Sequence, residues 1–439
     1  MVKVLIFLSP LATVATAGSV TELPGSVTKL IDYSANPCDD FYQYACGAWF
    51  KDAVIPPDGR FIDTATNKIS IQNEAVVKKI LSDNTTKIGA FYSSCLDTAT
   101  LSSLGLAPLA DSIKAIRSAN TTLDLLFVAG ELVKYGVPAF VDIRARADNA
   151  NATKNALFGL RAPLPLHREY YITPYYWNAW KGDYEFRTAN WNFFGKRYHF
   201  GQTVEPTREQ FCAKEVDDVL GELLGQVFID AVWSPGTAKT ADELVKTLMS
   251  SFSTGITTAD WLDNSTRANA QTKLSKYMYL LGGPEKPQLY PTLTLDSKTY
   301  LKNRWKVSQV NIDTNLKLNG QPVDKRKFDI PPQKVNARYK RIENQIVFPA
   351  GILRAPYFDL KYDAAQNFGG IGVVIGHEIT HGFDNRNRNY DGDGNLNPWW
   401  SNATNITFKT KAQCLSDQYA NFVVKSDLTG DKLGNISGQ

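Results

Sequence analysis

The sequence predicts a mainly α protein with small β content, an α+β fold in two lobes, and three observations carry that prediction. The chain has 439 residues, roughly two to three times a usual domain, a length that favours two lobes with a cleft between them. Apolar residues recur at three- and four-residue steps through 104–135, 213–231 and 240–280, the spacing of one buried helix face. The β-like stretches are short and fall near 137–161 and 341–353.

In chain order, Met1 to Ala17 comes first, with one basic residue, Lys3, an apolar run of about 14 residues, and small residues at Ala15 and Ala17. That is the layout of a cleavable secretory signal over 1–17. The run is interrupted by Pro10 and is shorter than the roughly 20 residues that span a bilayer, so no membrane anchor is expected. Residues 18–37 form a polar lead-in, and 38–50 are aromatic-rich between Cys38 and Cys46. The helical stretch 104–135 follows, then short strands and loop over 137–161, then the helical stretches 213–231 and 240–280. Residues 282–298 are rich in Pro and Gly and read as a connection. From about 328 the character changes: a β-like run, Gln345 to Pro349, precedes a stretch from Gly369 to Phe383 that can form one continuous helix. These boundaries predict an N-terminal, mostly helical lobe over 18–330 and the start of a catalytic half over 331–439.

Composition narrows the class. Apolar residues at 43%, aromatics at 12% and charges at 21% place the chain among folded globular proteins. A net charge of +4 without any stripe of Lys or Arg argues against a nucleic-acid partner. Asn84, Asn120, Asn151, Asn264, Asn402, Asn405 and Asn435 each begin an Asn-x-Ser/Thr sequon, which agrees with a secreted glycoprotein. In an oxidising compartment cysteines pair, and the five here, Cys38, Cys46, Cys95, Cys212 and Cys414, leave at least one without an internal partner.

The chemistry is concentrated in His377-Glu378-Ile379-Thr380-His381. Histidines four apart on a helix lie on one face, so both imidazoles can reach one ion. Ile375, Ile379 and Phe383 fall on roughly the opposite side and predict a helix buried behind its histidine face. Zinc takes nitrogen and oxygen donors in tetrahedral array, and a catalytic site keeps one position for water. Glu378, beside the first ligand, is placed to take a proton from that water and pass it to a leaving amine. One Zn2+ is therefore expected, with His377 and His381 as ligands and Glu378 as general base. His167 and His199 have no partner spacing and read as surface or aromatic-cluster residues. A Gly at 384 and a His at 387, which a metzincin needs, are replaced by Asp384 and Asn387. A third-ligand Glu 19 or 20 positions after His381 would stand at 400 or 401, where Trp400 and Ser401 are found, and 382–439 contain no Glu. Asp391 to Asn395 suggests a calcium loop, but Leu396 and Asn402 occupy positions six and twelve, which excludes it.

Taken together, the residues resemble the neprilysin and endothelin-converting-enzyme family of zinc endopeptidases. The matching segments are Asn336-Ala337, Asn344 to Leu353, Val374 to Asp384, Asp391 to Leu396, Trp399-Trp400 and Gln418 to Phe422. Upstream they are Pro37 to Trp49, Phe91 to Cys95 and Asp260 to Asp263. The resemblance implies a two-lobed zincin, with a thermolysin-like catalytic half and a helical covering lobe, that hydrolyses peptide bonds in oligopeptides. It implies that Asn336 and the Ala337 carbonyl hold the substrate backbone, that Asp384 sits behind a ligand histidine, and that Cys95 pairs with Cys212. Arg338 stands where the family usually has an aromatic residue, a departure that bears on substrate preference.

The family's third ligand is a Glu in a Gly-Glu-Asn-x-x-Asp segment. It is expected a few residues beyond Gln439, which resemblance places as the end of a truncated chain. Cys38, Cys46 and Cys414 would then bond cysteines in the same missing part. The span from Cys95 to Cys212 also looks shorter than in the family. On this reading the chain binds zinc weakly or not at all and has little peptidase activity. Two other readings remain: a non-catalytic peptide-binding or decoy protein that keeps the fold, and a ligand role for Asp427 or Asp431.

Overall fold

The computed structural model of the chain describes residues 23–57, 62–137, 141–148, 151–161 and 204–420. The leader, His167, His199, Asp427, Asp431 and Asn435 lie outside the described residues. By internal contacts the chain divides into two units, Met1–Asp63 with His199–Glu205, and Thr64–Tyr198 with Pro206–Gln439.

In the first unit, α1 (Gly25–Thr28) precedes α2 (Phe41–Asp52), which starts where the Asp40 carboxylate accepts from the Gln43 backbone N–H. Asp32 accepts from Ser34 and Gln43 and pairs with Lys51 at 3.0 Å, which ties the lead-in to the far end of α2. Gly47 makes this contact possible, because a Cβ there would stand 2.7 Å from the Asp32 Cβ.

The second unit is helical with two small sheets. Its helices are α3 (Thr66–Leu81), α4 (Lys87–Leu96), α5 (Thr98–Leu104), α6 (Ala110–Arg117) and α7 (Thr122–Lys134). The hairpin β1 (Val141–Ala147) and β2 (Asn155–Arg161) follows, paired antiparallel from Val141 with Arg161. Then come α8 (Arg208–Val219), α9 (Gly221–Val232), α10 (Pro235–Thr258), α11 (Asn264–Ser275), β3 (Met278–Gly282) and α12 (Tyr300–Leu316). The last elements are β4 (Arg338–Lys340), β5 (Gln345–Pro349), α13 (Ala364–Asn367), α14 (Val373–His381) and α15 (Asn402–Ala420). The expectation of a mainly α fold with few strands holds.

Several boundaries differ from the periodicity, each for a local reason. The stretch 104–135 is divided because Gly105, at φ +48, closes α5, and Thr121 opens α7 with a capping box to Asp124. The stretch 213–231 is two helices that meet at Leu220. The stretch 240–280 ends as a helix at Thr258 and restarts behind the Asp263 cap. Its last residues are a strand, because Met278–Gly282 pairs in parallel with β5 inside the protein. The helix expected over 369–383 runs from Ala364 to His381 and contains a π turn, Phe368–Gly372. There the Ile371 N–H donates to the Tyr357 carbonyl at 2.8 Å, and a Cβ on Gly370 would come within 2.3 Å of that oxygen.

Two hydrophobic cores organise this unit. One gathers Leu81, Phe91, Cys95, Cys212, Val216, Leu224 and Tyr300 from α3, α4, α8, α9 and α12, and within it Cys95 and Cys212 form a disulfide. The other gathers residues of α10, α11 and β5 around Ile371, Ile375 and Ile379, so it draws on both sides of position 330. Its sheet has the order β3-β5-β4, with β5 buried along its whole length and β4 on the edge.

Candidate metal centre

α14 is fixed by its apolar side. Ile375 and Ile379 are each 1% exposed and sit in the second of these cores, with Phe383 packed against it. The opposite side therefore faces outward: His377 is exposed, His381 half-buried, and Glu378 between them only 6% exposed. The two imidazole rings lie 4.4 Å apart, centroid to centroid, at 85°. One ligand atom from each of His377, Glu378 and His381 lies within 4.8 Å of the other two, and among the described residues this is the only such group of three.

Asp384 stands behind His381. Its Oδ2 is 2.9 Å from His381 Nδ1, so with the proton on Nδ1 the ring leaves Nε2 open as a donor for an ion. The carboxylate is itself held: Oδ1 accepts from the backbone N–H groups of Arg386 at 2.9 Å and Asn387 at 2.7 Å, and Oδ2 from Asn387 Nδ2 at 3.0 Å. Burial pushes the Glu378 carboxyl above its usual range, opposed by His381, the Tyr339 backbone and Arg338. Burial also lowers His377, and neighbouring His381 adds to the effect. Two imidazole rings beside a carboxylate, one ring with a second carboxylate behind it, are a donor set that fits zinc.

The proposed substrate residues lie just before the edge strand. Asn336 is exposed and its Oδ1 accepts from the Ala337 N–H at 2.9 Å; β4 begins at the next residue and packs against α14. Arg338 pairs with Asp329 at 2.5 Å. A cavity of about 610 Å³ lies between α3, α8 and Gln333–Val335, and none of His377, Glu378 and His381 lines it.

The structure also brings in residues that motif reading did not single out. Lys273 of α11 is 1% exposed, and its ammonium, lowered to about 8 by burial against the opposing pull of Asp384 and Asp391, donates to three backbone carbonyls after α14. Tyr277 donates its hydroxyl to the Ile379 carbonyl at 3.0 Å. Asn344, at φ +50, donates to the carbonyls of Lys273 and Gly392. Asn344 lay inside a matching segment, but nothing in helical periodicity marks a buried lysine as a tie to a distant loop.

Known proteins can be set beside this geometry. Residues 336–435 match the sequence profile of Peptidase family M13, and residues 37–184 and 175–284 match its N-terminal profile. The chain is 25% identical to an endothelin-converting enzyme homolog of Locusta migratoria, over 91% of this chain and 76% of that protein. It is 23% identical to human endothelin-converting enzyme 1, over 94% and 73%. Among solved structures it is similar to the zinc metalloprotease ZMP1 of Mycobacterium tuberculosis in complex with an inhibitor. That likeness has a TM-score of 0.81 at 23% identity, over 91% of this chain and 81% of that one. It is also similar to PEPO from Lactobacillus rhamnosis, with a TM-score of 0.76 at 20% identity, over 88% and 82%. The profiles span well over half of the chain and include the histidine pair, so this protein belongs to peptidase family M13, zinc metalloendopeptidases by family.

Proposed function

We propose that this chain is built for the zinc-dependent hydrolysis of peptide bonds in oligopeptides outside the cell. His377 and His381 hold the one ion, Glu378 is the general base and Asp384 orients His381. The observation that carries this reading is the convergence of the three α14 side chains within 4.8 Å. When bound, the ion supplies Lewis acidity toward a scissile carbonyl and an attacking water. Glu378 takes a proton from the water as its oxygen bonds to the carbonyl carbon, then delivers it to the amine as the C–N bond breaks. A carboxylate whose affinity for protons is raised by burial suits both halves of that transfer. Asn336 and the Ala337 carbonyl, at the end of an edge strand, offer backbone-spaced hydrogen bonds to an extended peptide.

Two protein ligands hold zinc more weakly than three, and a third, a Glu on the resemblance, is not among the described residues. Support for secretion comes from the leader-like Met1 to Ala17 and from the sequons, of which Asn84, Asn120, Asn151, Asn264 and Asn402 are exposed. Among the described residues no helix is long and apolar enough to cross a membrane.

The test is purified 1–439 assayed on a quenched peptide with and without zinc, alongside metal analysis. The expected outcome is weak zinc uptake that is lost in His377→Ala or His381→Ala, and low, chelator-sensitive turnover. Glu378→Ala should cut that turnover by about 10²- to 10⁴-fold. Turnover indifferent to both chelator and Glu378→Ala would overturn the catalytic reading, and tight stoichiometric zinc would overturn the two-ligand expectation.

A further inference from the structure

The loop that follows α14 carries Asp384, and its backbone is held from outside the motif. Lys273 Nζ donates to the carbonyls of Gly382 at 2.6 Å, Asn387 at 2.9 Å and Tyr390 at 2.7 Å. An ammonium has three donors, and all three are used on this one loop. The side chain is 1% exposed, and its cation lies 5.6 Å from the Phe383 ring centroid, 5.9 Å from Tyr339 and 6.0 Å from Trp399. Rings close the space around it and leave the carbonyls as its hydrogen-bonding partners. The three oxygens bracket Asp384 in sequence, one before it and two after, so the ammonium fixes both ends of the turn from which that carboxylate projects.

We propose that Lys273 is a positioning residue for the metal centre: by clamping the Gly382, Asn387 and Tyr390 carbonyls it sets the Asp384 carboxylate against His381 Nδ1 and so aims Nε2 of that ring. The proposal rests on the reading of His381 as a metal ligand. Helix α11 contributes nothing to the histidine motif, yet it reaches the ring through two steps, ammonium to loop backbone and loop carboxylate to imidazole. The Lys273 backbone takes part as well, since its carbonyl accepts from Asn344 Nδ2 at 3.0 Å, and the same amide donates to Gly392 at 3.1 Å. A helix-to-loop tie at both side chain and backbone makes Lys273 the element that registers α11 against the loop.

The chain has four histidines, so a histidine-labelled sample of 1–439 gives a readable ring spectrum without any metal. The wild type should show a slowly exchanging Nδ1–H proton that disappears in His381→Gln. In Lys273→Met, which keeps length and fits among the aromatic rings, that proton should be lost while the His377 signals stay in place. A residue that only stabilises the fold would lower the melting temperature and leave the His381 proton unchanged below it, and that result would overturn the proposal. Should Lys273→Met fail to fold, hydrogen exchange in the wild type decides. The amides of Asn387, Arg388 and Tyr390 should exchange as slowly as those of α14, and exchange at the rate of an open turn would overturn the clamp. With cobalt or zinc added, Lys273→Met and Asp384→Asn should each weaken binding by about 10- to 100-fold, and the double variant no further than the weaker single. Additive losses would mean that Lys273 acts elsewhere. A wild type that takes up no metal would count against the metal reading, and the ring spectrum would still decide the clamp.

Discussion

Single residues show how narrow the tolerances around α14 are. Gly382 follows the second histidine, and a Cβ there would fall 1.5 Å from the Tyr277 hydroxyl oxygen, which donates to the Ile379 carbonyl. Gly382→Ala should therefore push Tyr277 away and destabilise the protein by about 1–3 kcal/mol, measured by denaturant unfolding, with metal uptake falling alongside. At this scale the histidines and Glu378 were legible because a fixed spacing on a helix is itself the geometric requirement for shared ligation. Asp384 was legible only through resemblance, since a carboxylate three residues on meets the ring just when the helix ends where this one does, at His381. Lys273 was not legible, because a lysine in an α-helical stretch normally signals a solvated face, and only the tertiary fold supplies the three carbonyls that let it be buried.

Elements were read well where periodicity and local chemistry agreed, and poorly where tertiary pairing decided. α14 behaved as its isoleucine stripe requires, and β5 was recognisable from the strand-forming run Ile346-Val347-Phe348 inside a segment that is buried throughout. By sequence the start of β3 reads as the end of the helical stretch 240–280, since Met278–Gly282 carries no alternation. It becomes a strand because β5 offers a parallel partner. Caps set other boundaries and make them sensitive to acid. Asp97 caps α5 and accepts from Lys298, with the Thr100 N–H and hydroxyl also donating, and these bonds hold its carboxyl down at about 2 from an ordinary 3.8. A depressed carboxyl adds stability above its unfolded value and loses it as pH falls through the folded one. Thermal melts should accordingly show a decline between pH 3.8 and about 2 that is shallower in Asp97→Asn, and the same substitution should lower the melting temperature at neutral pH.

For the molecule as a whole, length and helical spacing were enough for a mainly α fold, but the extent of each core was not written in any local pattern. The core around α14 recruits α10, α11 and β3 from well before residue 330, because the apolar face of a nine-residue helix needs more cover than its sequence neighbours can provide. The other core contains a covalent tie, the disulfide between Cys95 and Cys212, which are separated by 117 positions. Closing so long a loop restricts the unfolded chain, and Cys95→Ser with Cys212→Ser should cost about 2–5 kcal/mol in denaturant unfolding. The bond also governs what damage does to the protein. A protease that cuts the backbone anywhere from Leu96 to Phe211 produces two pieces that still migrate as one on a non-reducing gel and separate once a thiol is added. The chain can thus be nicked there and remain a single covalent molecule, with the α14 histidines still joined to α4 through sulfur.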